Sequence, residues 1–485
     1  MPDRWLPTSD LHRVIATQIQ QFVRNDLPQL PPAMRERLLR VEVPIAWRSP
    51  LTWLRQQPAG IKTYWVDRDR GFAMAGIGAL DIIAGDRPIQ HDCIFQRIRK
   101  YLSPLYPQIR YYGGISFEQS RAIDPSWQQF GNYRFIVPKF EVCLRQNRAY
   151  FACNFRLSPQ EKEAENWQIQ LEQIWQELAE INFEPNLDAD YLQDLLPLLI
   201  SRTDLPDRVS WYRNLDLALK SFDRLDLDKI VLARRSKLQF TAPLDPQALL
   251  LALQPHNPHS YHFCFQLNPK IAFIGTSPER LYARQDQLLQ TEAIAGTRPR
   301  GKSSQIDREL SDNLLNSSKD IHEHQLVVQN LQSILDRLCD SVQIDRQLGI
   351  LKLSKVQHLY THCHGTLKAN ITDADILPKL HPTPAVGGFP KPQALQLIQE
   401  LEPFERGWYA APVGWVGYDS AEFAVAIRSG LIDRDRLLLF SGAGIVRGSQ
   451  PEEEWAEINN KIRHFTDLFT DAPPQKNPDS LIIAS

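Results

Sequence analysis

The chain has 485 residues, 43% hydrophobic and 23% charged, an ordinary balance for a globular protein and too polar for a membrane bundle. Its 55 Lys and Arg against 57 Asp and Glu leave a formal charge of -2, so no overall field draws it to nucleic acid or to an anionic membrane. The six cysteines include no CxxC pair and are too few to scaffold so long a chain, which points to free thiols. No run of about eighteen apolar residues is present, and the start MPDRWLPTSD lacks the apolar stretch of a secretory signal. A cytoplasmic protein with no membrane partner and no nucleic-acid partner is expected, although a trimmed transit peptide is compatible with the same start.

Taken in chain order, β-rich runs alternate with polar turns. Residues 64–66 and 72–75 flank a turn at 67–71, and 140–144 and 149–155 flank Gln146-Asn147. Residues 260–267 and 271–275 flank Asn268-Pro269-Lys270, and 280–283 and 288–295 flank Gln285-Asp286. Near the end, strands at 423–428 and 437–446 flank a turn at 433–436. Such a succession of hairpins predicts large antiparallel sheets rather than a doubly wound parallel one.

Helices fall between the hairpins. Trp167, Leu171, Ile174, Trp175, Leu178 and Ile181 recur at helical spacing. A helical region over 307–339 carries Leu326, Val327, Leu331, Ile334, Leu335 and Leu338 on its apolar side, and a last helix is expected over 451–468. Beyond Asp471 the chain is Pro-rich and polar and is expected to fray. The fold class is therefore α+β: large antiparallel sheets packed together and flanked by helices. We expect an N-terminal half over 1–204 that completes the fold, a region over 205–470 that holds the chemistry, and a flexible tail over 471–485. The seam falls within 185–207, inside one intertwined unit.

Three features carry candidate chemistry. Asp320 and Glu323 lie three apart on a predicted helix and so share a face, and Glu454 and Glu457 repeat that spacing on the last helix. Two such faces brought together make an oxygen-rich pocket suited to Mg²⁺. Solvated surface acids are the alternative, and on residues alone the commoner one. His322-Glu323-His324 does not suit zinc, because helical histidines must lie four apart to face one ion. Gly442-Ala443-Gly444 ends an apolar strand, where small residues let backbone N–H groups approach an anion, unless it is a plain turn. Arg428 ends the apolar run Val425-Ala426-Ile427, either as a clamp for a carboxylate or as a solvated strand end.

Ordered blocks then show a resemblance. Lys229-Ile-Val-Leu-Ala-Arg234, Phe273-Ile-Gly-Thr-Ser-Pro-Glu279-Arg-Leu281 and Glu292-Ala-Ile-Ala-Gly-Thr-Arg298 come first. Ser318-Lys-Asp-Ile-His-Glu323-His324, Val356-Gln-His358-Leu359 and His381-Pro-Thr-Pro-Ala-Val-Gly-Gly388 follow. Then come Pro412-Val-Gly-Trp415, Glu422-Phe-Ala-Val-Ala-Ile-Arg428-Ser429, Gly442-Ala-Gly-Ile-Val446 and Glu454-Trp-Ala-Glu457 with Asn460-Lys461. Together these resemble the chorismate-utilising enzymes, the anthranilate synthase-like family, densely over about 205–470 and more loosely before. Within that family the resemblance is to the branch that makes isochorismate. Its ammonia-using members usually carry Gln where Lys229 stands here, and water-using members carry Lys.

The resemblance implies a fold, an activity and roles. It implies reversible conversion of chorismate to isochorismate, with water attacking C2 and the C4 hydroxyl leaving. Lys229 is implied as general base, which requires a neutral amine part of the time. Glu279 is implied as general acid, which requires a raised pKa. Mg²⁺ is the implied cofactor, held by Glu323 and Glu457 with Glu454 and Asp320 in support. Arg428, the backbone of Gly442, Ala443 and Gly444, and His358 are implied to hold substrate, with Thr297 and Thr383 as lesser pocket residues. For His358 a bond to backbone inside the core remains the alternative. No glutamine amidotransferase subunit is expected, a monomer is preferred, and the product is expected to feed menaquinone or phylloquinone synthesis. Salicylate synthase, anthranilate synthase component I and a silent chorismate-binding protein stay open as other readings. One departure is Ala411, where relatives often carry glycine.

Overall fold

The computed structural model describes residues 8–26, 29–31, 37–46, 49–119, 122–156, 164–183, 196–353 and 356–469. The tail from 471 and residues 185–195 of the expected seam lie outside them. Two antiparallel sheets dominate. The larger has twelve strands, running Leu38–Ile45, Arg148–Arg156, Phe140–Arg145, Phe72–Ile77, Lys62–Val66, Tyr261–Asn268, Ile271–Ser277, Ser429–Asp433, Arg436–Ile445, Lys229–Phe240 and Gly388–Phe389, with Leu199–Leu205 also on Lys229–Phe240. The smaller has ten, running Cys339–Ile344, Val356–Leu367, Leu288–Pro299, Arg280–Gln285, Ser420–Val425, Pro412–Val416, Tyr111–Ile115, Tyr133–Val137 and Asp81–Gly85, with Gly349–Lys352 also on Val356–Leu367. Early and late strands pair directly in both: Lys62–Val66 with Tyr261–Asn268, and Tyr111–Ile115 with Pro412–Val416.

Period-two alternation sorts each strand's side chains between faces. Tyr261, Phe263 and Phe265 enter a core shared with Tyr282 and Phe423 of the smaller sheet, while Cys264 turns to the opposite face. That opposite face is covered by helices Thr8–Gln21, Pro50–Gln56 and Pro246–Leu253, through Ile15, Trp53 and Leu249. A third cluster joins Ile230, Leu232, Ala443 and Ile445 to helices Arg208–Leu225, Lys391–Leu401 and Pro451–Thr466. The alternation therefore turns Lys229 and Gly444 away from those helices.

The first four expected hairpins are present, each with its strands paired. Two expectations need correction. Residues 423–428 are not one strand: Ser420–Val425 belongs to the smaller sheet and Ser429–Asp433 to the larger, with the chain crossing between them. The helical region over 307–339 is two helices, Ser304–Leu315 and Ser318–Leu338. It breaks at Asn316-Ser317 because the Ser317 side chain accepts from the Asp320 amide and starts the second helix afresh. The 164–179 helix stops before Ile181, which is buried just beyond it. All six cysteines are free. Among the described residues no helix is long and apolar enough to cross a membrane.

Candidate active site

The site forms where the chain passes twice between the sheets. The first passage runs from Ile271–Ser277 to Arg280–Gln285 and carries Glu279; the second runs from Ser420–Val425 to Ser429–Asp433 and carries Arg428. They are tied together. The Val425 amide donates to the Glu279 carbonyl at 3.1 Å, the Thr276 amide to the Arg428 carbonyl at 3.1 Å, and the Ser277 hydroxyl to the Val425 carbonyl at 2.5 Å.

Arg428 has φ of 50°, a left-handed conformation that a side chain adopts at a cost of about 1 kcal/mol or more. This strain accompanies the abrupt change of sheet. Its guanidinium makes no ion pair with any described carboxylate, and removal from water pushes it down to about 10. A desolvated cation without a counter-charge is a receptor for an anion.

The Glu279 carboxyl lies in a cavity lined also by Leu281, Glu292, Ile294, Leu331, Leu380 and Thr383. Burial first, and the charge of Glu292 second, push it up to about 7. Thr383 donates its hydroxyl to Glu279 Oε1 at 3.3 Å, and with the charges of Lys229 and Lys461 it acts in the opposite direction. Glu279 thus senses both lysines.

Lys229 is set by what precedes it. Helix Arg208–Leu225 ends at Asp226, whose φ of 51° reverses the chain, and strand Lys229–Phe240 begins three residues later. Lys229 Nζ donates to Glu323 Oε1 at 3.2 Å, while Asp228 is exposed and makes no pair with it. Gly444 leaves room for this side chain: a Cβ there would lie 2.9 Å from Lys229 Cε. Gly442, Ala443 and Gly444 are within strand Arg436–Ile445, opposite Ala233, Leu232 and Val231. The strand's other neighbour stops at Leu439, so beyond it one backbone edge carries no strand partner. The Gly442 carbonyl accepts from Lys461 Nζ at 2.8 Å.

His358 and Thr297 are cross-strand partners with Oγ1 and Nδ1 3.0 Å apart. His358 Nδ1 also lies 3.2 Å from the Gly296 carbonyl, so Nδ1 holds the hydrogen and Nε2 is left as an acceptor. Burial, then the positive charges of Arg428 and Lys461, push its pKa down to about 4. The half-buried histidine thus has its backbone bond to Gly296 and lies in the field of Arg428. Thr297 is exposed.

The acids divide by partner. Glu323 pairs with Lys229 and Glu457 with Lys461 Nζ at 2.7 Å. One oxygen of Glu454 is buried with no hydrogen-bond partner. Burial raises the Glu454 pKa, and the charge of Glu457 adds to this against a hydrogen bond from Ser449. Asp320 is occupied otherwise, accepting from Arg298 Nη2 at 2.7 Å and from the Ser317 hydroxyl. His324 turns inward to Thr361 Oγ1 at 2.8 Å, away from Glu323's partner, as helical spacing requires. Among the described residues no three His, Cys, Asp or Glu side chains already converge on one point. The unpartnered oxygen of Glu454, crowded by Glu457, nevertheless suits a hard cation that prefers carboxylate and water.

Three residues of this neighbourhood carry no role in the sequence reading: Lys461, Glu292 and Arg68. The first two lie inside the matching blocks, but nothing local distinguishes them from surface charge.

The profile of chorismate binding enzymes matches residues 26–470. The chloroplastic isochorismate synthase of Catharanthus roseus is 34% identical over 413 residues, 83% of this chain and 70% of that one. Isochorismate synthase MenF of Escherichia coli (strain K12) is 31% identical over 463 residues, 94% of this chain and 99% of that one. The solved structure of the menaquinone-specific isochorismate synthase from Escherichia coli aligns with a TM-score of 0.79 at 29% identity, covering 94% of this chain and 99% of the other. The chain belongs to the chorismate binding enzyme family.

Proposed function

We propose that this chain is an isochorismate synthase, an isomerase that converts chorismate to isochorismate. The observation that carries the reading is Glu279, a carboxyl poised near pH 7 within the field of two lysines. Water adds at C2 while the C4–O bond breaks and the ring double bonds shift. Lys229 takes the proton from the incoming water, and Glu279 gives its proton to the departing hydroxyl, which leaves as water. Atoms balance, and the reverse reaction uses the same pair with roles exchanged.

Arg428 clamps a substrate carboxylate, and the open edge at Gly442, Ala443 and Gly444 offers amides to another. His358 Nε2 accepts from a substrate hydroxyl, and Thr383 orients Glu279. Glu323, Glu454 and Glu457 would hold Mg²⁺, which when bound supplies neutralisation of a carboxylate and withdrawal of electrons from the ring. Glu323, the partner of Lys229 at 3.2 Å, joins the base to the acids that would hold the ion. Asp320, tied to Arg298, supports this acid cluster from the start of its helix. No amidotransferase subunit is needed, and the chain works as a monomer. Likeness to the menaquinone-specific enzyme supports quinone synthesis as the product's destination.

The test is incubation of pure protein with chorismate and Mg²⁺ followed by chromatography. Isochorismate without pyruvate is the expected outcome. Salicylate with pyruvate, or anthranilate when ammonium is supplied, overturns it.

A further inference from the structure

The bend that carries Glu279 is gripped from both sides by one buried ion pair. Arg68 Nη1 and Nη2 donate to the two oxygens of Glu292 at 2.6 and 2.8 Å. The same Nη1 donates to the Pro278 carbonyl at 3.0 Å, and Glu292 Oε1 accepts from the Arg280 amide at 3.1 Å. The residues immediately before and after Glu279 are thus fastened to a single bidentate pair. Tyr360 adds its hydroxyl to Glu292 Oε2 at 3.2 Å. The Glu292 side chain is wholly enclosed and that of Arg68 is 7% exposed.

A buried ion pair is a poor way to gain stability, because desolvating two charges roughly cancels their attraction. It is a good way to fix geometry, since a planar guanidinium and a carboxylate meet in one arrangement. Arg68 belongs to the turn between strands Lys62–Val66 and Phe72–Ile77, so the early part of the chain reaches 210 residues along the sequence to Pro278 and 224 to Glu292. Glu292 also lines the same cavity as the Glu279 carboxyl.

We propose that Arg68 and Glu292 are positioning residues for the acid at 279: the pair holds the bend in place and keeps the Glu279 carboxyl beside the Glu292 carboxylate in one buried cavity, which governs its protonation. Neither touches substrate. The inference rests on the isochorismate synthase reading for its catalytic meaning, but the protonation it describes is measurable without turnover.

Two variants separate charge from geometry. Glu292→Gln keeps an acceptor and removes the charge; Arg68→Lys keeps the charge and removes the fork. The pH at which Glu279 ionises is read from its protonated-carboxyl infrared band, assigned by its loss in Glu279→Gln. In Glu292→Gln this pH should fall below that of the unsubstituted protein. In Arg68→Lys kcat should drop about 10- to 100-fold, the scale of a displacement near 1 Å, with KM unchanged. An unmoved band in folded Glu292→Gln overturns the charge role, and wild-type kcat in Arg68→Lys overturns the geometric one. If Glu292→Gln does not fold, the band is read in Arg68→Lys as well, where an unmoved ionisation together with wild-type kcat overturns the proposal. An inactive unsubstituted protein whose band still shifts in Glu292→Gln refutes the assigned reaction and leaves the positioning of the carboxyl supported.

Discussion

Replacing Glu279 by glutamine should make the protein less active and, at alkaline pH, more stable. The carboxyl is pushed up to about 7 from an ordinary 4.5, by burial first and Glu292 second. At pH 7 about half the molecules hold the proton, against roughly one in three hundred for an unperturbed glutamate. The folded state keeps the proton longer than the unfolded one. Stability is therefore full below about 4.5 and declines as pH rises through about 7, where the folded protein must accommodate a desolvated carboxylate beside Glu292. Glutamine removes that burden. At pH 8 Glu279→Gln should exceed the unsubstituted protein by of the order of 1–3 kcal/mol, and at pH 4.5 or below the two should coincide. Chemical denaturation at both pH values measures this. The same substitution should lower kcat by about 10²- to 10⁴-fold, the contribution of a positioned general acid. In the unsubstituted protein ionisation of the acid should lower kcat/KM on the alkaline side, and that limb should be missing from Glu279→Gln. Equal stability of the two proteins at pH 8, or wild-type turnover by the variant, refutes the reasoning.

Other outcomes follow from the same geometry. Gly444→Ala places a methyl 2.9 Å from Lys229 Cε, so the flexible side chain should give way and kcat should drop by about 10²-fold with an unchanged melting curve. Arg428→Gly relieves a left-handed side-chain position, so stability should stay within about 1 kcal/mol. Loss of the carboxylate clamp should meanwhile raise KM by about 10- to 100-fold, the worth of a charged hydrogen bond, as steady-state kinetics will show. Dialysis against a chelator should abolish turnover and added Mg²⁺ restore it. Glu454→Gln should raise the Mg²⁺ concentration needed for half-maximal rate, because the unpartnered buried oxygen loses its charge.

Much of the architecture was legible because its causes are local. Tyr64 to Ala75, Phe140 to Phe155 and Ser260 to Gly275 place β-favouring apolar runs on either side of polar turn-forming residues, and each became a hairpin. The shared outlook of Glu454 and Glu457 also needs only helical spacing. The same spacing was silent on partners: Asp320 and Glu323 lie three apart, yet one is held by Arg298 and the other by Lys229.

By itself the sequence determined the antiparallel sheet class, the first four hairpins and, through its ordered blocks, the family. The tertiary structure alone decided that residues 423–428 break at a strained Arg428, that Glu279 and Arg428 sit on adjoining passages between sheets, and that Arg68 grips the acid's bend. The division has one physical origin. Turn propensity and side-chain period act over a few residues, whereas the field at a carboxyl and the choice of sheet depend on groups hundreds of residues away, which only the packed chain brings within a few ångströms.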